Sequence, residues 1–398
     1  MFLFEKRVDQ LLAEDTLRLV NSQIKENKTL EYKRDLKFEN SEDKREFLFD
    51  FTSMYNTDGG CIIYGIEDLK DNKKQNTGIP KIHGITIENE DKLLQKIEDT
   101  IRSNTEPSIN NIGFKKLIIN DETVLVIGVP KGLGLPCMVT FNQTNKFYKR
   151  RNTGKYPVDV YELNQMFMQN MVLKESVEKF REERTKKVIT GKILPKLDIS
   201  TSLFAHIFPF NFVNEQIIDL SGVYTNSKIT EWMKPLHATG WSYMYNLDGF
   251  LTYCTRTVED ENSLQPNHYK EKIISYNQLL RNGIYEIYSS HIIAKIDKHL
   301  HLYENELNRS IEAIKNGLCV LETMKIEPPF YVSYSLHGLL NAKLIYNGNT
   351  VSSTLFTTNE VFLPAVLIQN YDSDIKELLK PVFDILWQAV GLNKNTII

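Results

Sequence analysis

The chain has 398 residues, 41% hydrophobic and 25% charged, a balance that excludes a disordered or fibrous polymer and gives two domains, or at most three, as the length expectation. Its net charge of −3 is unevenly spread: residues 1–100 carry 16 Lys and Arg against 21 Asp and Glu, residues 101–200 carry 17 against 10, and the remainder 15 against 20. A basic middle between acidic flanks permits nucleic-acid contact without requiring it.

Val8, Leu11, Leu12, Leu17, Leu19, Val20 and Ile24, uninterrupted by Gly or Pro, predict a helix over 5–27 whose end delivers Glu26 to the next element. Leu30 to Leu36 alternates as a short strand, on which Glu31 and Lys33 share a face. Ser41 reads as an N-cap, and Phe47, Leu48, Phe51, Met54 and Tyr55 give a helix over 42–56 a buried face. Asn56-Thr57-Asp58-Gly59-Gly60 ends that helix; Cys61 to Ile66 is an apolar strand with Glu67 and Asp68 at its exit.

Residues 68–80 read as an exposed loop, 82–85 as a short strand and 88–103 as a helix. A hairpin over 112–119 and 123–129 and a basic strand over 146–151 complete an α+β domain spanning 1–157. A helical connector over 158–195 follows, breaking at Gly191 to Pro195. Residues 196–398 form a second, mixed α/β domain, with strand-like runs over 204–213 and 249–253 and helices over 305–321 and 374–390. The overall fold class is α+β.

Several chemistries are excluded. Cys61, Cys137, Cys254 and Cys319 are far apart and form no Cys-x-x-Cys pair, which argues against a zinc ribbon or disulfide framework. His299 and His301 are the one close histidine pair, and their surroundings read as helix, where the two rings would not share a face. Neither Gly154-Lys155-Tyr156 nor Gly191-Lys192-Ile193 completes a phosphate-binding loop. No apolar run approaches the roughly 20 residues of a membrane helix, and the first residues lack a signal-peptide core, so a cytoplasmic protein without a membrane partner is expected.

Carboxylates at the ends of adjacent elements are how a protein without cysteine or histidine clusters holds a hard divalent cation. The combination Glu26-x4-Glu31-Tyr32-Lys33, Asn56-Thr57-x-Gly59-Gly60 and Gly65-Ile66-Glu67-Asp68 resembles the Schlafen-type AlbA-like domain over roughly residues 15–155. The resemblance implies an endoribonuclease in which two glutamates and an aspartate support divalent-metal cleavage of tRNA or rRNA; the matching positions are Glu26, Glu31 and Asp68. Three carboxylates suit Mg²⁺ or Mn²⁺, and Lys33, on the face of Glu31, would offset charge on the scissile phosphate. Glu67 is the substitute ligand if the strand register turns it inward in place of Asp68. The implied role is a stress or antiviral defence effector acting on tRNA-like structured RNA under control of the C-terminal domain. Vertebrate Schlafens place two related lobes face to face; this chain reads as carrying one, so a homodimer or higher homo-oligomer would supply the second wall.

Lys146, Tyr148, Lys149, Arg150, Arg151 and Lys155 mix cations with aromatics, as a surface for RNA phosphates and stacked bases does, and Lys115 and Lys116 extend the field if the hairpin lies alongside. The same segment reads equally as a strand with one aromatic buried face and one solvated basic face. Taken singly, Glu31 and Lys33 are a same-face charge pair, Glu26 a helix-end carboxylate and Asp68 a turn residue. The alternative function is a non-catalytic nucleic-acid-binding regulator, with DNA as a second possible ligand.

Overall fold

The computed structural model describes residues 2–3, 6–70, 76–109, 112–132, 135–152, 154–194, 197–199, 201–210, 212–214, 217–259, 269–296, 299–346 and 350–393. The chain divides into two compact units, Met1–Val172 and Leu173–Ile398. Both helices and sheets occur in each, which is the α+β class the sequence predicts. Among the described residues no helix is long and apolar enough to cross a membrane.

The first unit is built on a four-stranded sheet in the order Leu30–Lys33, Gly60–Tyr64, Glu122–Val129, Gly113–Ile119. The first two strands are parallel, and helix α2 (Ser41–Tyr55) connects them, since parallel neighbours need a crossover. Alternation sorts the side chains onto two faces. Ile62, Tyr64, Leu125 and Ile127 pack with Phe47, Phe51 and Met54 of α2 and with Ile97 and Ile101 of another helix, Glu90–Ser103. Cys61, Ile63, Val124 and Val126 pack on the opposite face with Leu30, Tyr32 and Leu19, the last from helix α1 (Ala13–Asn21).

Gly60 opens the second strand at φ +141°, and a Cβ there would lie 2.1 Å from the carbonyl oxygen of Thr29. Only glycine permits so close a backbone approach.

Four predicted elements need correction. The short strand over 82–85 is only the last residue of strand Asn76–Ile82, and residues 83–85 lie outside any strand. The helix over 5–27 shrinks to Ala13–Asn21, because Leu12 is extended and its N–H is capped by Asp15, so Val8 and Leu11 are buried in a 3₁₀ turn and its exit and not in the α-helix. Glu26 therefore lies in the turn before the first strand and not at a helix end. The loop over 68–80 contains two antiparallel strands, Ile66–Lys70 and Asn76–Ile82, with residues 71–75 outside the described set. The His299–His301 segment is strand His299–Tyr303, pairing in parallel with Ala342–Tyr346, and His301 is buried. The cap of α2 also moves by one residue, to Asn40, whose side chain accepts the Asp43 N–H.

The second unit centres on an eight-stranded antiparallel sheet that includes Ser202–Pro209, Ser242–Tyr245, Gly249–Glu259, Tyr269–Leu280, Tyr285–Ser289 and Phe330–His337. Leu203, Ala205 and Ile207 face a core completed by helices Glu304–Thr323 and Ile375–Ala389. Phe204 and Phe208 face the other way, toward Leu173, Val177 and Val188 of helix Val160–Ile189. Gly317 sits mid-helix because a Cβ would meet Tyr285 at 2.7 Å and Ile207 at 2.8 Å.

Candidate functional site

The site grows from the alternation of the Leu30–Lys33 strand. Leu30 and Tyr32 point into the core with α1, so Glu31 and Lys33 emerge on the face covered by α2. Register places Glu31 beside Ile62 and Lys33 beside Tyr64. On α2, Asp50 lies within the apolar stretch Phe47-Leu48-Phe49-Asp50-Phe51, and its side chain is 7% exposed.

These elements make a string of alternating charges. Glu31 Oε2 accepts from Arg150 Nη2, and Glu31 Oε1 meets Lys33 Nζ at 2.8 Å. Lys33 Nζ lies 2.9 Å from Asp50 Oδ2, Lys155 Nζ lies 2.9 Å from Asp50 Oδ1, and Lys155 reaches Glu46 at 2.7 Å. Burial opposes ionisation of Asp50, but Lys33 and Lys155 outweigh it and hold the carboxyl below its usual value. Burial likewise opposes the Lys33 ammonium, yet Asp50 and Glu31 push its pKa up.

The Asn56-Thr57 pair closing α2 fixes the basic strand Lys146–Arg151 behind this string. Asn56 Nδ2 donates to Cys137 O at 2.8 Å and Tyr148 O at 2.9 Å, and its Oδ1 accepts from Cys137 N at 2.7 Å. Thr57 Oγ1 accepts the Arg150 N–H at 3.0 Å. Residues that read as a helix terminator thus also set the position of the Arg150 guanidinium, whose side chain is 5% exposed.

Glu26 and Asp68 approach from the turn before the first strand and from the Ile66–Lys70 strand. Glu26 Oε1 accepts the Tyr32 N–H at 2.8 Å, and Asp68 Oδ1 accepts the Gly78 N–H at 2.7 Å. The Glu26 carboxyl titrates above its usual value, because it is partly buried and because Glu31 and then Asp68 repel its charge; the Tyr32 bond and Lys33 offset part of this. Glu31 and Asp68 therefore both act on Glu26. Glu67 lies 3.6 Å from Arg34. Hard oxygen donors that repel one another have the chemistry of a divalent-cation site. Among the described residues, however, no group of three His, Cys, Asp or Glu is spaced to hold a metal ion.

Of the eight residues assigned to nucleic acid, Arg150 and Lys155 join the charge string. Lys146 and Arg151 are exposed, with the Arg151 guanidinium 4.4 Å over the Tyr156 ring; Lys149 is half-buried. Tyr148 is buried, stacked on Phe49 at 4.2 Å. Lys115 and Lys116 stand on a strand of the other sheet, where Lys115 donates to Asp9 O and Lys116 pairs with Glu90. Asp50 was missed by sequence reasoning; an acid inside the apolar face of a helix was the available signal.

Residues 26–159 match the family model described as Schlafen, AlbA_2. The N-terminal part of the chain carries a Schlafen AlbA_2 domain. Glu26 opens the matched Schlafen segment, and Lys155 lies near its end. Two solved structures resemble the chain at 19% identity. The N-terminal domain of a RecG-related protein from Nitrosomonas europaea matches with a TM-score of 0.24, covering 31% of this chain and 74% of that one. The DIP2311 protein from Corynebacterium diphtheriae matches with a TM-score of 0.25, covering 35% of this chain and 23% of that one. No curated protein matches significantly.

Proposed function

We propose that the Schlafen AlbA_2 domain acts on nucleic acid as a divalent-metal-dependent endoribonuclease, with structured, tRNA-like RNA as substrate. The observation that carries this reading is the match of residues 26–159 to the Schlafen AlbA_2 family model, a segment that contains Glu26, Glu31 and Asp68. Glu26, Glu31 and Asp68 are the side chains that would hold Mg²⁺ or Mn²⁺, and because they are not spaced as a metal-binding group here, the reading requires them to draw together on the ion, which would supply activation of a water nucleophile. Lys33, held by Asp50 and Glu31, keeps its proton and presents a cation beside the carboxylates, where a scissile phosphate gathers negative charge. Exposed Lys146 and Arg151 supply backbone phosphate contacts.

A non-catalytic binder is the second reading, and one observation favours it: both Glu31 oxygens already face cations, Lys33 and Arg150. Incubation of the purified chain with tRNA and Mn²⁺, alongside a Glu31→Gln variant, separates the two. Cleavage that falls at least about 100-fold in the variant, roughly the effect of removing one catalytic group, supports the nuclease. Salt-sensitive binding without cleavage, or cleavage untouched by the substitution, overturns it. The defence role, the homo-oligomer and control by the C-terminal unit belong to the same proposal.

A further inference from the structure

The second unit contains a cavity of about 560 Å³, a size typical of small-molecule sites. Its walls come from the end of helix Val160–Ile189, from the loop over 246–248 and from the turn over 280–282. Four cations line it, Arg184, Lys187, Lys192 and Arg281, against two acids, Glu183 and Asp248. Phe180, Ile193 and Leu280 give it an apolar side.

One wall is unusually firm. Arg184 donates through Nε and Nη2 to Glu286 at 2.8 and 2.9 Å, through Nη1 to Asp248 at 2.6 Å, and through Nη2 to Gln278 at 2.8 Å. Glu286 is fully buried and also meets His206 Nε2 at 2.9 Å and the Tyr276 hydroxyl at 2.9 Å. Arg281 Nε donates to Leu247 O at 3.0 Å, which ties the 246–248 loop in place. Arg184 thus shares its single charge between the buried Glu286 and Asp248 at the cavity wall. Lys187 and Lys192, by contrast, are exposed and form no ion pair with a described residue.

A rigid, partly apolar cavity beside two uncommitted lysines is suited to a ligand with an apolar body and several anionic oxygens. We propose that this cavity binds a nucleoside phosphate, with the base against Phe180, Ile193 and Leu280 and the phosphates toward Lys187 and Lys192. The proposal is independent of the chemistry assigned to the first unit.

The test is isothermal titration of the full chain, in EDTA, with ATP, GTP, CTP, UTP and inorganic triphosphate as separate probes. The expected result is saturable binding of at least one nucleotide, tighter than inorganic triphosphate. A Lys187→Glu/Lys192→Glu variant should weaken that binding by about tenfold or more, a change easily resolved by titration. Both positions are exposed, so the variant should keep its fold, and its near-ultraviolet circular dichroism checks this. Saturable binding by none of the four nucleotides, an affinity unchanged in the variant, or inorganic triphosphate binding as tightly as every nucleotide would each overturn the proposal.

Discussion

Replacing Asp50 with Asn keeps the shape of the side chain and removes its charge, leaving Lys33 and Lys155 without their shared anion. Breaking a fully buried ion pair costs about 3–5 kcal/mol. Asp50 is 7% exposed, but the two lysines keep 35% and 22% of their side-chain surface and can turn toward water. The cost is therefore discounted to about 2 kcal/mol. All three tryptophans, Trp232, Trp241 and Trp387, lie in the second unit, so their emission does not report on this change. Hydrogen exchange of α2 does, and about 2 kcal/mol corresponds to a roughly 30-fold loss of protection. The folded-state carboxyl titrates below its usual value, so its contribution is complete above the unfolded pKa of about 3.9 and disappears as pH falls through the lower folded value. The deficit of the variant is thus constant near neutrality and shrinks below about pH 4 when followed by circular dichroism in denaturant. Less than threefold change in α2 protection, or a deficit that persists undiminished in acid, would refute the reasoning.

Gly60→Ala forces a methyl group into the Thr29 carbonyl and should destabilise the first unit by about 3 kcal/mol or more; a wild-type thermal melt by far-ultraviolet circular dichroism would contradict this. Arg184→Met leaves Glu286 buried without its guanidinium partner, held among the described residues only by His206 and Tyr276, at a cost of about 3 kcal/mol, measured by tryptophan emission in urea through buried Trp387. Adding Glu286→Leu to that variant should recover much of the loss, and a double variant no more stable than the single one would show that the charge pair is not the cause.

Legibility in the sequence followed the strength of the periodic signal. The α2 face and the 113–129 hairpin were plain, because each buries one regular stripe or alternation. The helix before them was overextended because Val8 and Leu11 are apolar and buried yet lie in a 3₁₀ turn and its exit, and apolar spacing alone does not separate that from helix. The strands over 66–70 and 76–82 were hidden by a lysine- and asparagine-rich sequence that carries no clear alternation. At His299–Tyr303 a period of two was present, but the helix beginning at Glu304 masked it. In the site, same-face placement of Glu31 and Lys33 was readable from strand period. Their partners Arg150 and Asp50 were not, because those contacts depend on how α2 and a second sheet close over the strand.

The string from Arg150 through Glu31, Lys33, Asp50 and Lys155 to Glu46 alternates in sign at every step. Changing one interior member leaves two neighbours of like sign each with one counter-charge fewer. Glu31, Lys33, Asp50 and Lys155, separated by up to 124 positions in the chain, are thereby energetically coupled, so that substitutions at neighbouring members should be non-additive in stability.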